Sequence, residues 1–216
     1  MVSDQRKLGE SKMARDRSSI VKMSRREGYA LHPKAHKALV KRSSKPGQTQ
    51  RSRPAKPSQY NLQLREKQKV KRLYGLLEKQ FSNLMKEADR KEGQAGHNLL
   101  QLLEQRADNV IYRAGFAPSR RAARQLMSHG HFMLNDVRVD IPSIRLKAGD
   151  KLVARPRSIK TEYFKNLDDV SPTPPEIPGW IKVNRKKYEI SVTGLPTRDD
   201  AELDINEQLI VEYYSR

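Results

Sequence analysis

The chain has 216 residues, of which 36% are hydrophobic and 32% charged, with a formal net charge of +19. A core is affordable at this length, but the apolar share is low, so part of the chain is expected not to pack on itself. The charge implies a polyanionic partner, nucleic acid or an anionic membrane surface, and the lack of cysteine excludes disulfides, thiolate metal sites and a cysteine nucleophile.

From the N-terminus, Met1 to Arg17 lacks the apolar stretch of a secretory signal, and its acidic Asp4, Glu10 and Asp16 argue against a mitochondrial transit peptide. Nowhere does an apolar run approach the ~20 residues needed to span a bilayer. Residues 1–72 hold 21 Lys and Arg against 5 Asp and Glu, a net +16. Residues 73–98 are neutral, 99–157 carry +6 and 158–216 carry −3. Between 34 and 56 the chain is Lys, Arg, Ser, Pro and Gln with few large apolar residues. Such a stretch cannot offset its own ordering entropy. Residues 1–56 therefore read as a basic extension, disordered alone: either a solvated linker or, the preferred reading, an arm that orders against phosphates as counterions are released.

At Val70 the pattern turns helical: Leu73, Tyr74, Leu77, Phe81, Leu84, Met85 and Ala88 follow at three- and four-residue steps. Gly75 interrupts them, which leaves two helices or one bent helix open. Upstream, Arg65, Lys67, Lys69, Lys71 and Arg72 make a strongly basic helix start. After Gly96, Leu99, Leu100, Leu103, Ala107, Val110, Ile111 and Ala114 predict one further helix ending at Gly115.

The segment from Pro118 to His131 is the most informative. Ser119 is a good N-cap and Gly130 a plausible C-terminal stop. Ala122, Ala123, Leu126 and Met127 should pack inward. Arg120 and Arg124 form one column, Arg121, Gln125 and His129 the next, and the guanidinium groups are expected to project outward. Their planar forks can each bond two phosphate oxygens.

Strands are predicted next, over Phe132–Leu134 and Val137–Ile141, joined by Asn135-Asp136, two residues that tolerate the left-handed conformation of a hairpin turn. Alternation places Val137, Val139 and Ile141 on a dry face. Another turn at Lys147–Asp150 leads into a strand over Lys151–Ala154. Residues 171–178 contain four prolines and read as an extended connector. Short strands are expected over Trp180–Val183 and Tyr188–Val192, while Leu209–Tyr214 fits strand or helix.

These residues resemble a known family. Asp108-Asn109-Val110, Gly115-Phe116-Ala117, Ser119-Arg120, Ala123-Arg124-Gln125-Leu126 and His129-Gly130-His131 are similar to the S-four RNA-binding module, which several RNA-modifying enzymes also carry. The flanks resemble the small-subunit ribosomal protein S-four family: Leu64 to Lys69 and Tyr74-Gly75 before the module, and Ile205 to Glu212 with Tyr214-Ser215-Arg216 after it. Earlier patches are Arg25-Arg26-Glu27-Gly28 and Pro46-Gly47-Gln48. Some members hold zinc through a cysteine cluster near the N-terminus; Ser24 stands at its first position, so the resemblance is to a bacterial-type, zinc-free member. His32 and His36 lack further ligands for a metal. Ala107 stands where leucine is usual, and Asp136 where glycine is.

The resemblance implies an α+β fold. Its parts would be the extension at 1–56, a helical domain at 57–98 completed by about 200–216, the RNA-binding module at 99–157, and an acidic connector with short strands at 158–199. It implies a non-enzymatic constituent of the small ribosomal subunit in the cytoplasm, without cofactor or metal. This constituent would bind ribosomal RNA at a helical junction, nucleate assembly and lie near the channel through which messenger RNA enters. Expected neighbours are proteins of the S-three and S-five families and that messenger RNA, with no membrane. Candidate RNA-binding residues are Arg25, Arg26, Arg51, Arg53, Arg65, Lys67, Lys69, Lys71, Arg72, Ser119, Arg120, Arg121, Arg124, Gln125, His129 and His131. No nucleotide-binding glycine loop or metalloprotease motif is present. A module-bearing enzyme and a membrane-surface protein are the competing readings.

Overall fold

The computed structural model describes residues 16, 18–42, 44–47, 56–202 and 204–215. Helices α1 (Ile20–Glu27), α2 (Pro33–Lys41), α3 (Gln59–Leu73), α4 (Glu78–Arg90) and α5 (Ala95–Glu104) build a helical lobe. Helices α6 (Ala107–Arg113) and α7 (Arg120–Ser128) lead into β1 (Phe132–Leu134), β2 (Val137–Val139) and β3 (Lys151–Ala154). Three single-turn helices follow, α8 (Pro156–Ile159), α9 (Glu162–Lys165) and α10 (Leu167–Val170). Then come β4 (Ile181–Asn184), β5 (Glu189–Val192) and α11 (Glu207–Tyr214), the last resolving the strand-or-helix ambiguity in favour of helix.

Two hydrophobic cores define the two lobes. In the helical lobe, Val70, Phe81, Met85, Ala88, Leu99 and Leu103 meet Ile205 and Ile210 from the far end of the chain. α11 therefore packs on α3 and α5. In the second lobe, α6 and α7 lie against the sheet through Val110, Ile111, Ala123, Met127, Phe132 and Leu152. The fold is α+β. Among the described residues no helix is long and apolar enough to cross a membrane.

Residues 20–41 depart from the expected disordered extension. Ile20 and Met23 face the helical core, and Gly28 ends α1 with φ +67°. Pro33 opens α2 at a position where its missing N–H costs nothing, and Ala35 is buried beneath it. The buried side chains are few, Met23, Ser24, Leu31 and Ala35, so the charge of the segment hides them from a composition count. Ser24 is buried and accepts a hydrogen bond from the Leu31 amide at 3.3 Å.

Gly75, at φ +65°, separates α3 from α4 as two helices, because only glycine takes that conformation without strain. The single helix expected from Leu99 to Ala114 is instead two, α5 and α6. At the break the backbone leaves the helix to pair with another segment: the Ala107 amide donates to the Ile144 carbonyl at 2.8 Å, and Arg106 bridges Arg145. A tertiary backbone pairing overrides continuous helical periodicity there.

The sheet is antiparallel throughout, in the order β2-β1-β3-β5-β4. β4 and β5 thus extend the sheet that β1 to β3 begin, and the prolines at 171–178 are the route by which the chain returns to it. Asn135 and Asp136 take φ +47° and +67°, the two left-handed residues of a tight hairpin turn. The Asn135 amide anchors it, donating to Asp150 and accepting from the Lys151 amide, both at 2.9 Å.

The dry face expected on β2 does not form. Val139 is partly buried against the core, but Val137 is 65% and Ile141 56% exposed. β2 is an edge strand, and the side chains of Val137 at its start and Ile141 beyond its end stay largely in water.

Candidate nucleic-acid interface

Helix α7 is the pivot of the site. Ser119 caps it, accepting from the Ala122 amide at 3.2 Å, and is itself buried. Ala123, Leu126 and Met127 hold the helix on the second lobe, and Gly130 at φ +66° follows its end. The two arginine columns separate. Arg121, Gln125 and His129 are exposed to solvent. Arg120 and Arg124 turn instead toward the helical lobe, a correction to the outward projection expected of both. Arg124 donates to the Gly75 carbonyl at 3.0 Å and lies 4.0 Å from Asp108.

Arg120 is held still more firmly. Its Nε donates to Asn109 at 2.9 Å and its Nη2 to Glu202 at 3.0 Å. Its guanidinium carbon sits 4.9 Å from the Tyr74 ring centre and 4.6 Å from that of Tyr112. Sequence spacing assigns Arg120 a face of α7 but carries no sign that Glu202, 82 residues away, waits there.

The basic run of α3 is likewise spoken for. Arg65 bonds Glu27 at 3.2 Å, and Arg72 bonds the same carboxylate. Glu27 is closed off from solvent, and burial raises its carboxyl above the ordinary range despite both arginines. Lys69 bonds Glu66 at 2.9 Å and the Asp204 carbonyl at 2.5 Å, while Lys71 bonds Glu78 at 2.9 Å.

Lys67 is a clear departure from the expected RNA contacts. It is only 3% exposed, bonds Glu78 at 2.7 Å, and lies 4.4 Å from the centre of the Tyr213 ring. An ammonium so enclosed presents nothing to a phosphate. Burial opposes ionisation of Glu78, but hydrogen bonds from Lys67, Lys71 and Tyr214 prevail and lower its pKa to about 2.

Arg25 donates to the Ser44 carbonyl at 2.8 Å and 3.1 Å, whereas Arg26 beside it is exposed. Arg51 and Arg53 lie outside the described residues. His131 is partly buried, with Nδ1 3.0 Å from the Ser158 hydroxyl, and burial lowers its pKa ahead of His129 and Arg155. His129 and His131 have ring centres 5.9 Å apart, and the bonded partner of His131 is the Ser158 hydroxyl. His32 accepts the Lys34 amide at 3.0 Å and so caps α2. No group of metal-holding side chains occurs among the described residues.

What composition concealed is the surface of α2. Lys34, Lys37, Lys41 and, just after it, Arg42 are all exposed. Their signal was local, a proline-opened turn with small apolar residues at Ala35 and Ala38. Between the first two helices, the α3–α4 turn and α7 runs a groove of about 440 Å3. Ile20, Met23, Leu31 and Leu76 supply apolar lining, while Arg72, Arg121 and Arg124 supply cations. Arg121 and Gln125 of the outward column line this groove, and α2 reaches it through Pro33, while the lysines of α2 are exposed without lining it.

Comparison with known proteins meets this geometry. Residues 15–104 match the family described as ribosomal protein S4/S9 N-terminal domain, and residues 105–152 match the S4 domain. Small ribosomal subunit protein uS4 of Chlorobium phaeovibrioides is 48% identical over 205 residues, covering 94% of this chain and 100% of that protein. Its counterparts from Chlorobaculum tepidum and Clostridioides difficile are 47% and 48% identical, with the same coverage of both chains. The chain belongs to the uS4 family. The boundary between the two matched uS4 regions falls at 104–105, where α5 breaks before α6.

Proposed function

We propose that this chain is a structural constituent of the small ribosomal subunit, non-enzymatic and cytoplasmic, that binds folded ribosomal RNA through the surface shared by α2 and α7. Membership of the uS4 family supports the ribosomal assignment. The observation that carries the interface is the division of α7, with Arg121, Gln125 and His129 in solvent and the first two lining a groove that α1 and the first residue of α2, Pro33, also line. Cations fixed on helices suit the phosphate ridges of a helical junction, since double-stranded RNA is recognised mainly by shape and backbone.

Arg26, Arg121, Gln125 and His129, with Lys34, Lys37, Lys41 and Arg42, are the RNA-facing set of this reading. Arg25, Arg65, Lys69, Lys71, Arg72, Ser119, Arg120, Arg124 and His131 shape that surface more than they touch the ligand, and Lys67 is internal. In the same reading the protein nucleates assembly of the subunit body and lies near the channel by which messenger RNA enters. Its neighbours there are S-three and S-five family proteins.

The test is filter binding of a small-subunit ribosomal RNA junction across a salt series. Arg121→Ala should weaken binding and reduce the salt slope by about one. Unchanged affinity and slope would remove α7 from the interface. Cross-linking within assembled subunits tests the neighbours, and absence of cross-links to S-three and S-five family proteins would refute that placement.

A further inference from the structure

We infer that Arg120 is a positioning residue for RNA binding, a latch that fixes the angle between the two lobes and never itself meets a phosphate. The inference rests on the proposed RNA interface, because that interface is shared between lobes: α2 belongs to one and α7 to the other.

Arg120 leaves α7 and crosses to the helical lobe. Its side chain is only 12% exposed. Its fork ties the lobes together, with Nε on Asn109 of the near lobe, Nη2 on Glu202 of the far one, and the rings of Tyr112 and Tyr74 from each against the guanidinium. The contacts close into a ring. The Asn109 amide, while accepting from Arg120, donates to the Glu104 carboxylate at 2.7 Å. That carboxylate is fully buried and accepts the Tyr74 hydroxyl at 2.6 Å. Arg113 bonds the same Glu104 at 2.9 Å and lies 3.6 Å from Glu202. Two arginines and two carboxylates thus meet where the α5–α6 break, α7 and the segment before α11 converge.

Such a network is rigid because removing any member leaves a desolvated polar group unpaired. Rigidity here has a use. If α2 and α7 both grip one folded RNA, freedom between them must be lost on binding, and a lobe angle set beforehand avoids that loss. Arginine fits the task and lysine does not, since only a planar fork can bond two acceptors while stacked between rings.

The sign of one substitution separates a latch from a phosphate contact. Glu202→Gln makes the protein more positive and loosens the competitor for Arg120. A phosphate-seeking Arg120 would then bind RNA more tightly. A latch would bind it more weakly, by roughly tenfold, at an unchanged salt slope. Arg120→Ala should do the same, and Arg120→Lys should fail to rescue it. Because the chain has no cysteine, Lys86→Cys and Lys182→Cys on opposite lobes accept a spin-label pair cleanly. Without RNA, their distance distribution should broaden in Glu202→Gln and Arg120→Ala.

Tighter binding by Glu202→Gln, rescue by Arg120→Lys, or a slope that falls by about one in Arg120→Ala would overturn the latch. So would a distance distribution that stays narrow. Failure of the unsubstituted protein to bind any junction RNA would instead overturn the proposed function and this inference with it. Thermal melting of each variant reports whether it folds.

Discussion

Helices α2 and α3 are both rich in lysine and arginine, and they use them differently. On α3 every cation from Arg65 to Arg72 reaches a carboxylate or carbonyl of Glu27, Glu66, Glu78 or Asp204. On α2, Lys34, Lys37 and Lys41 point into solvent. The lesson is that a cation's availability is decided by its partners, some of them far away in sequence. Glu27 precedes Arg65 by 38 residues, and Asp204 follows Lys69 by 135. The helix with the greater number of cations is the one more fully committed to holding the protein together.

The contrast can be broken most decisively on α2. Replacing Lys34, Lys37 and Lys41 together by alanine should lower affinity for junction RNA by about a hundredfold at moderate salt, with a shallower salt slope and an unchanged melting temperature. If affinity holds, α2 is a solvated face and the comparison fails.

On α3 the expected effect is on stability. Lys67→Ala leaves Glu78 short of one charged partner and opens a gap beneath Tyr213, so urea unfolding should show a loss of about 2 kcal/mol. RNA affinity of the folded fraction should stay within about twofold, in keeping with the insulation of Lys67. A large affinity loss at unchanged stability would reverse the assignment.

Acid titration sharpens the same point. Burial resists ionisation of Glu78 and Glu202, but Lys67 and Lys71 outweigh it for the first, and Arg120 and Arg113 for the second. Both folded pKa values therefore lie below the ordinary 4.5, so the stability they contribute is complete above that value. It should drain away as pH falls from 4.5 toward the folded value of about 2 for Glu78. Circular dichroism melts across that range should show this loss diminished in Glu78→Gln. An identical acid profile in that variant would discount the pairing.

The smallest effect is expected at the sheet edge. Val137→Thr should change stability by less than about 0.5 kcal/mol, because the side chain is already in water. A cost above about 1 kcal/mol in denaturant would mean that β2 is covered after all.

Local signals carried much of the fold. Ser119 and Gly130 bracket α7, and Asn135-Asp136 turns the hairpin, because capping and turn chemistry depend on neighbours in sequence. The alternation in β2 misled because periodicity says which residues share a face, and only tertiary structure says whether anything covers it. The break between α5 and α6 was hidden for a related reason: the Ile144 carbonyl that takes the Ala107 amide is 37 residues away. At the candidate site the same rule divides the residues. The two columns of α7 follow from helical spacing, but which of them faces solvent depends on Tyr74, Asn109 and Glu202. The α2 lysines went unmarked because Ala35 and Met23 offer little apolar area amid so much charge.

The seat of α11 on α3 has a consequence for how the molecule is made. Gln63 on α3 bonds Glu212 at 2.8 Å, so two residues 149 positions apart finish the same core. On a chain emerging from its N-terminus, α3 must wait, its greasy flank uncovered, while the whole sheet lobe is synthesised. That lobe is continuous from 105 to 192 and can close as soon as it emerges. The region begun first is thus the last to be completed, and during the delay it is the one in need of shelter.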